Sequence, residues 1–204
     1  PTLRFSVLFY RDYKDENEED SFLSERKELR TNNDKEIIAY IKEMEAGHGG
    51  DDPEAVFYAL CEQLLLSDLK ENSFRALIHI GDIGNHETDE RGYTAEMVNE
   101  QLLENEIDLV VGINVSGNRS LEKNMQDYTQ GIIDEKKLIY TSKSVEDVKN
   151  VIVDATIRVA TEARTTVEMA KEVKEGYTVE YLAKTYGNRL TDRFVERMER
   201  KGVN

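Results

Sequence analysis

The chain has 204 residues, 34% of them charged and 39% hydrophobic, with a formal net charge of −15. That length supports one sizeable core with an appendage. The acidity argues against a nucleic-acid binder, which needs a basic face, and no apolar run nears the roughly 20 residues that cross a bilayer. A lone cysteine, Cys61, excludes an intrachain disulfide, and its apolar helical surroundings make it a core residue. The chain begins at Pro1 with no Met or signal peptide, so it reads as an excised piece, and nothing in it assigns a compartment.

Leu3 to Tyr10 is apolar, β-branched and aromatic, the pattern of a buried strand. The acid-rich stretch Asp12 to Asp20 reads as a solvated loop. Ser24 to Leu29 reads as an antiparallel edge strand whose charges discourage pairing with other chains. Asp34 to Met44 spaces Ile37, Ile38, Ile41 and Met44 as a helix, ended by a Gly-rich turn. The next helix is expected to start with Asp52 as N-cap and Pro53 at the first helical position, where a missing N–H costs nothing. Val56, Leu60, Gln63 and Leu64 form its inner face.

Ala76 to Ile80 is a second buried strand, with His79 as a half-buried structural residue. Thr94 to Asn105 is a helix, Ile107 to Val115 a strand, Ser120 to Ile133 a helix and Lys137 to Tyr140 a short strand. Strands alternating with helices imply βαβ units: an α/β, doubly wound, mostly parallel sheet with helices on both faces. Ser144 then opens a capping-box-like helix start. Apolar residues recur at helical spacing from Val148 through Val173, and the pattern runs as far as Gly176, about thirty residues and ~45 Å. Two shorter helices, Thr178 to Tyr186 and Leu190 to Met198, complete a C-terminal helical extension. The expected domains are 1–143 and 144–204, with the first half of the extension packing on the sheet.

Two acidic turns carry the functional signal. Gly47-His48-Gly49-Gly50-Asp51-Asp52-Pro53-Glu54-Ala55-Val56 opens a helix, and Ala76-Leu77-Ile78-His79-Ile80-Gly81-Asp82 closes a strand, followed by Gly84-Asn85-His86. A buried strand ending in Gly-Asp delivers a carboxylate to the carboxyl rim of a parallel sheet, where ligands of such folds bind. The first turn can bring Asp51 or Asp52 to the same rim, and paired hard oxygens suit Mg²⁺. His48 and His86 bracket the crevice, although a lone turn histidine is usually solvated. Asp52 also serves as a plain helix cap, and Asp12 as a loop anchor.

These stretches, with Phe9-Tyr10-Arg11-Asp12 at a strand end, resemble a von Willebrand factor type A domain of the bacterial and hemicentin-like branch over residues 1–160. The resemblance implies the same doubly wound architecture and a metal-ion-dependent adhesion site holding Mg²⁺ on the carboxyl rim. Asp82 would be its last ligand and Asp52 its middle one, with Asp51 beside it. Asp12, His48, Asn85 and His86 would line the partner-binding rim. The implied function is a non-enzymatic protein-interaction module whose cation takes a carboxylate from a protein partner. The chain departs from the family in lacking its first strand and Asp-x-Ser-x-Ser loop. That strand is central in the family's sheet, so two strand flanks are expected to be left bare, metal affinity is expected to be weak, and a homo-oligomer is expected. The competing reading is a metal-dependent phosphoesterase-like hydrolase using Asp51, Asp82 and His86. Gly-Asp and Gly-Asn-His-Glu are fused in seven residues here, instead of lying on the separate loops that a two-metal centre needs. The mixed charge of Arg189, Asp192, Arg193, Glu196 and Arg197 reads as a solvated helix face, not a DNA-binding one.

Overall fold

The computed structural model describes residues 3–19, 21–31, 34–45, 47, 53–66, 68–70, 73–132, 134–142 and 144–200. It divides into two compact units, 2–149 and 150–204. The first is mixed α/β. Strand β1 (Arg4–Tyr10) runs antiparallel to β2 (Ser24–Thr31), with Tyr10 opposite Ser24 and a register shift between Phe5 and Val7. The charges of β2 make it the edge strand that its composition predicts. Between them the acid-rich stretch is not simply solvated: a 3-10 turn over Tyr13–Asn17 buries Asp12, Tyr13 and Asp15. The reason is a local cap combined with distant packing. Asp12 caps the turn, and Tyr13 joins Leu23 and Ala55 in a small apolar cluster.

Strands β3 (Ala76–Gly81), β4 (Leu109–Asn114) and β5 (Lys137–Thr141) form a parallel sheet with β4 in the centre. All six residues of β4 are buried, as a strand covered on both faces requires. Helix α1 (Asp34–Glu43) follows β2 and α2 (Val56–Leu64) precedes β3, while α3 (Ala95–Glu104) and α4 (Arg119–Tyr128) make the crossovers β3–β4 and β4–β5. Val56, Phe57, Leu60 and Leu64 of α2 meet Val98 and Leu102 of α3, Leu121, Met125 and Tyr128 of α4, and Leu77 and Val110 of the sheet. Each such side chain contributes on the order of 1.5–3 kcal/mol by leaving water. Cys61 is buried in this core. Helix α4 ends at Tyr128, short of the expected Ile133, in tight turns closed by Gln130 N–H to Asp127 O and Ile132 N–H to Thr129 O, both at 3.1 Å, with Gly131 at φ 78°.

Helix α2 also starts later than expected. Pro53 and Glu54 precede it in extended backbone, and Ala55 is the N-cap residue without a side-chain cap. The cap comes from elsewhere: Asn85 Oδ1 accepts the Phe57 N–H at 2.9 Å. Asp52, the expected cap, lies outside the described residues.

Among the described residues β1 pairs only with β2, and β3 pairs along its length only with β4. The strands therefore form two ladders, of two and three strands.

The second unit holds most of α5 (Val145–Lys174), with α6 (Val179–Tyr186) and α7 (Asn188–Arg200). Met169, Leu182 and Phe194, one from each helix, make its core. Thr178 caps α6, and Gly187, at φ 85°, separates α6 from α7. Glu162 is buried with Arg158 at 3.0 Å and Arg189 at 3.6 Å, so Arg189 of the mixed-charge face is held in an ion pair.

Candidate functional site

The carboxyl ends of β1 and β3 are stitched together by the segment ahead of α2. The Glu54 N–H donates to Gly84 O at 3.0 Å, and the Ala55 N–H donates to Arg11 O at 3.3 Å. Glu54 forms an isolated parallel bridge with Asn85. Glu54 is thereby fixed between the residues that leave β1 and those that leave β3.

Asp12, two residues past β1, is fully buried. Its Oδ1 accepts the Tyr13 N–H at 2.7 Å and lies 2.5 Å from His86 Nε2. Its Oδ2 is buried and has no hydrogen-bond partner among the described residues. Glu54 Oε2 is in the same condition. Burial, and then the negative charges of Asp12, Asp15 and Asp82, push the Glu54 carboxyl up to about 7. Arg11 opposes this weakly, because its guanidinium is spent on Ser21 Oγ at 2.8 Å and Glu45 O at 3.1 Å.

Asp82 is the first residue past β3 and is exposed. Its carbonyl accepts the Ser116 hydroxyl from the loop after β4. That loop is organised by Asn114, whose Oδ1 accepts Gly117 N–H at 2.9 Å and Asn118 N–H at 3.2 Å. The Tyr10 hydroxyl lies 3.1 Å from His79 Nε2, and its acidity is suppressed by burial and then by the charges of Glu54 and Asp82. Asp82, Glu54 and Asp12 thus share one electrostatic neighbourhood on the rim.

Of the other residues singled out by sequence, His86 is not solvated. It contacts Asp12 and stacks at a tilt on Tyr13, their ring centroids 5.8 Å apart. Asn85 is buried: besides capping α2, its Nδ2 donates to His86 O at 3.1 Å, and its N–H donates to Asn124 Oδ1 at 2.8 Å. His79 is fully enclosed, not half-buried. His48, Asp51 and Asp52 lie outside the described residues. Sequence reasoning missed Glu54 as a site residue. The signal was its position in the Pro-Glu-Ala stretch, where a helix was expected to carry it away from the rim.

Among the described residues no group of three or more His, Cys, Asp or Glu side chains is arranged to hold a metal ion. Mg²⁺ needs only one or two protein carboxylates, completing its shell with water or ligand oxygen. The hard donors and the two orphaned carboxylate oxygens fit such an ion chemically. No described helix is long and apolar enough to cross a membrane. Comparison with protein-family models, curated proteins and solved structures finds no match to this chain.

Proposed function

We propose that this chain is a protein-interaction module of the von Willebrand factor type A kind. A divalent cation, Mg²⁺ in the first instance, sits on the carboxyl rim and presents an open position to a carboxylate of a protein partner. The observation that carries this reading is the convergence of Asp82, Glu54 and Asp12 at the ends of β1 and β3. On a protein of net charge −15, an acidic rim repels a partner's carboxylate unless a cation lies between them. Asp82 and the Asp51-Asp52 pair are the ligands that the resemblance implies. The finer architecture belongs to the same proposal: β1–β2 and β3–β5 are two parts of one doubly wound sheet, with a further strand between β1 and β3.

Capture of a fluorescent Glu-rich peptide by the immobilised chain tests this reading. Capture is expected in Mg²⁺, with release by a chelator and loss in Asp82→Ala. Capture indifferent to chelation would overturn the cation's role. A generic phosphoester assay with Mn²⁺ tests the non-enzymatic part: metal-stimulated turnover that vanishes in Asp82→Ala would sink it.

A further inference from the structure

Asp12 is completely buried, and one of its oxygens has no protein partner among the described residues. Glu54 Oε2, also buried and without a partner among the described residues, belongs to the same neighbourhood. Acidic oxygens left dry and unpaired are costly, and the charge of Asp12 acts against that of Glu54. We propose that Asp12 Oδ2 and Glu54 Oε2 are the inner protein ligands of a divalent cation, seated inboard of Asp82 between the ends of β1 and β3. This rests on the reading of the rim as a cation site and assigns to it two ligands that the family resemblance does not supply.

Two observations favour an ion over a water. Asp12, Asp15 and Asp82 all place negative charge on Glu54, and a water satisfies hydrogen bonds without removing that charge. Arg11, the cation that acts on Glu54, has its guanidinium turned to Ser21 and Glu45. The supports of both side chains are braced. Oδ1 of Asp12 is held by Tyr13 and His86, and the Glu54 backbone by Gly84, so Oδ2 and Oε2 are presented by fixed supports. These are hard oxygens, suited to Mg²⁺ or Mn²⁺, with water filling the remaining positions.

The test is Mn²⁺ binding to the whole chain, counted by the electron paramagnetic resonance of free Mn²⁺, with Mg²⁺ as competitor. Wild type is expected to bind Mn²⁺ and release it to Mg²⁺, with affinity falling at least tenfold in Glu54→Gln. Asp82→Asn is expected to weaken binding by a smaller factor. In parallel, Mn²⁺ should broaden the amide resonances of Asp12, Tyr13, Glu54 and Ala55 in wild type, a readout that needs no variant to fold. Glu54→Gln binding like wild type while Asp82→Asn abolishes binding would overturn this inference and leave the cation-dependent rim standing. Broadening centred on Asp82 that spares Asp12 and Glu54 would do the same. No Mn²⁺ bound by wild type at millimolar metal would overturn both.

Discussion

The Tyr10 hydroxyl lies 3.1 Å from His79 Nε2, and this side-chain contact joins the end of β1 to the middle of β3, where no strand pairing does. On its other side His79 Nδ1 meets the Tyr128 hydroxyl at 3.0 Å. A buried imidazole with both nitrogens engaged by neutral hydroxyls satisfies itself without charge. Tyr10→Phe keeps the ring and removes the hydroxyl, leaving one imidazole nitrogen buried and unpaired. The expected cost is about 1–3 kcal/mol, read by denaturant unfolding. Faster hydrogen exchange in β1 and β2 than in β4 should accompany it.

The same histidine gives stability a pH dependence. Burial depresses its pKa from 6.5 to about 4, so the folded state resists the proton that the unfolded chain accepts. Above pH 6.5 both states are neutral at this position and the stability is fully present. It is lost as pH falls from 6.5 to 4, by at most about 3 kcal/mol, and below pH 4 nothing further is lost. Carboxylates titrate in part of this window, so the measured quantity is the difference between wild type and His79→Gln. The wild-type slope between pH 6.5 and 4.5 should exceed that of the variant. Equal slopes would show that His79 takes its proton freely in the folded state.

Many of the individual elements were legible because strands and helices announce themselves by apolar period. β3, β4, β5, α3 and α6 fall within two residues of their expected ends, and Thr94 and Thr178 cap where a hydroxyl precedes a helical repeat. Two of the errors share one cause: long-range partners override local preference. Asp-Pro looks like a helix start, yet the bridge from Glu54 to Asn85 holds the backbone extended until Ala55. The acid-rich stretch after β1 looks solvated, yet Tyr13 gains an apolar cluster and a hydrogen bond to Asp89 at 2.9 Å. Asp82 was legible from its strand end, whereas the Asp12–His86 contact spans 74 positions and leaves no mark in either neighbourhood.

Asn85 links α2 to the rim, and its removal separates local from global consequences. Asn85→Ala leaves the Phe57 N–H without its acceptor, a helix-cap loss worth about 1–2 kcal/mol. The bridge from Glu54 to Asn85 uses main-chain atoms and survives in principle, but its side-chain brace to His86 O is gone. The expected result is lower stability together with weaker Mn²⁺ binding, although no ligand is touched. A stability loss with unchanged metal affinity would show that the rim holds its geometry without Asn85.

The final prediction concerns self-association. On α5, Val153, Ile157, Ala160, Arg164 and Val167 follow one another at spacings of four and three, the seam of a two-helix contact. Val153 and Ile157 are 54% and 59% exposed, and Val167 is 36% exposed. A second copy of the same helix covers this stripe with matching residues, while Arg164 in the seam keeps the contact modest. The chain is therefore expected to form a dimer or higher species in a concentration-dependent way at micromolar levels. Light scattering measures it directly. Mass above 23.5 kDa that grows with concentration, and falls back in Ile157→Asp, is the expected outcome. A monodisperse species of 23.5 kDa across the range would show that the stripe is tolerated bare. Association that persists in Ile157→Asp would move the contact to the edges of β1 and β3 that face away from β2 and β4.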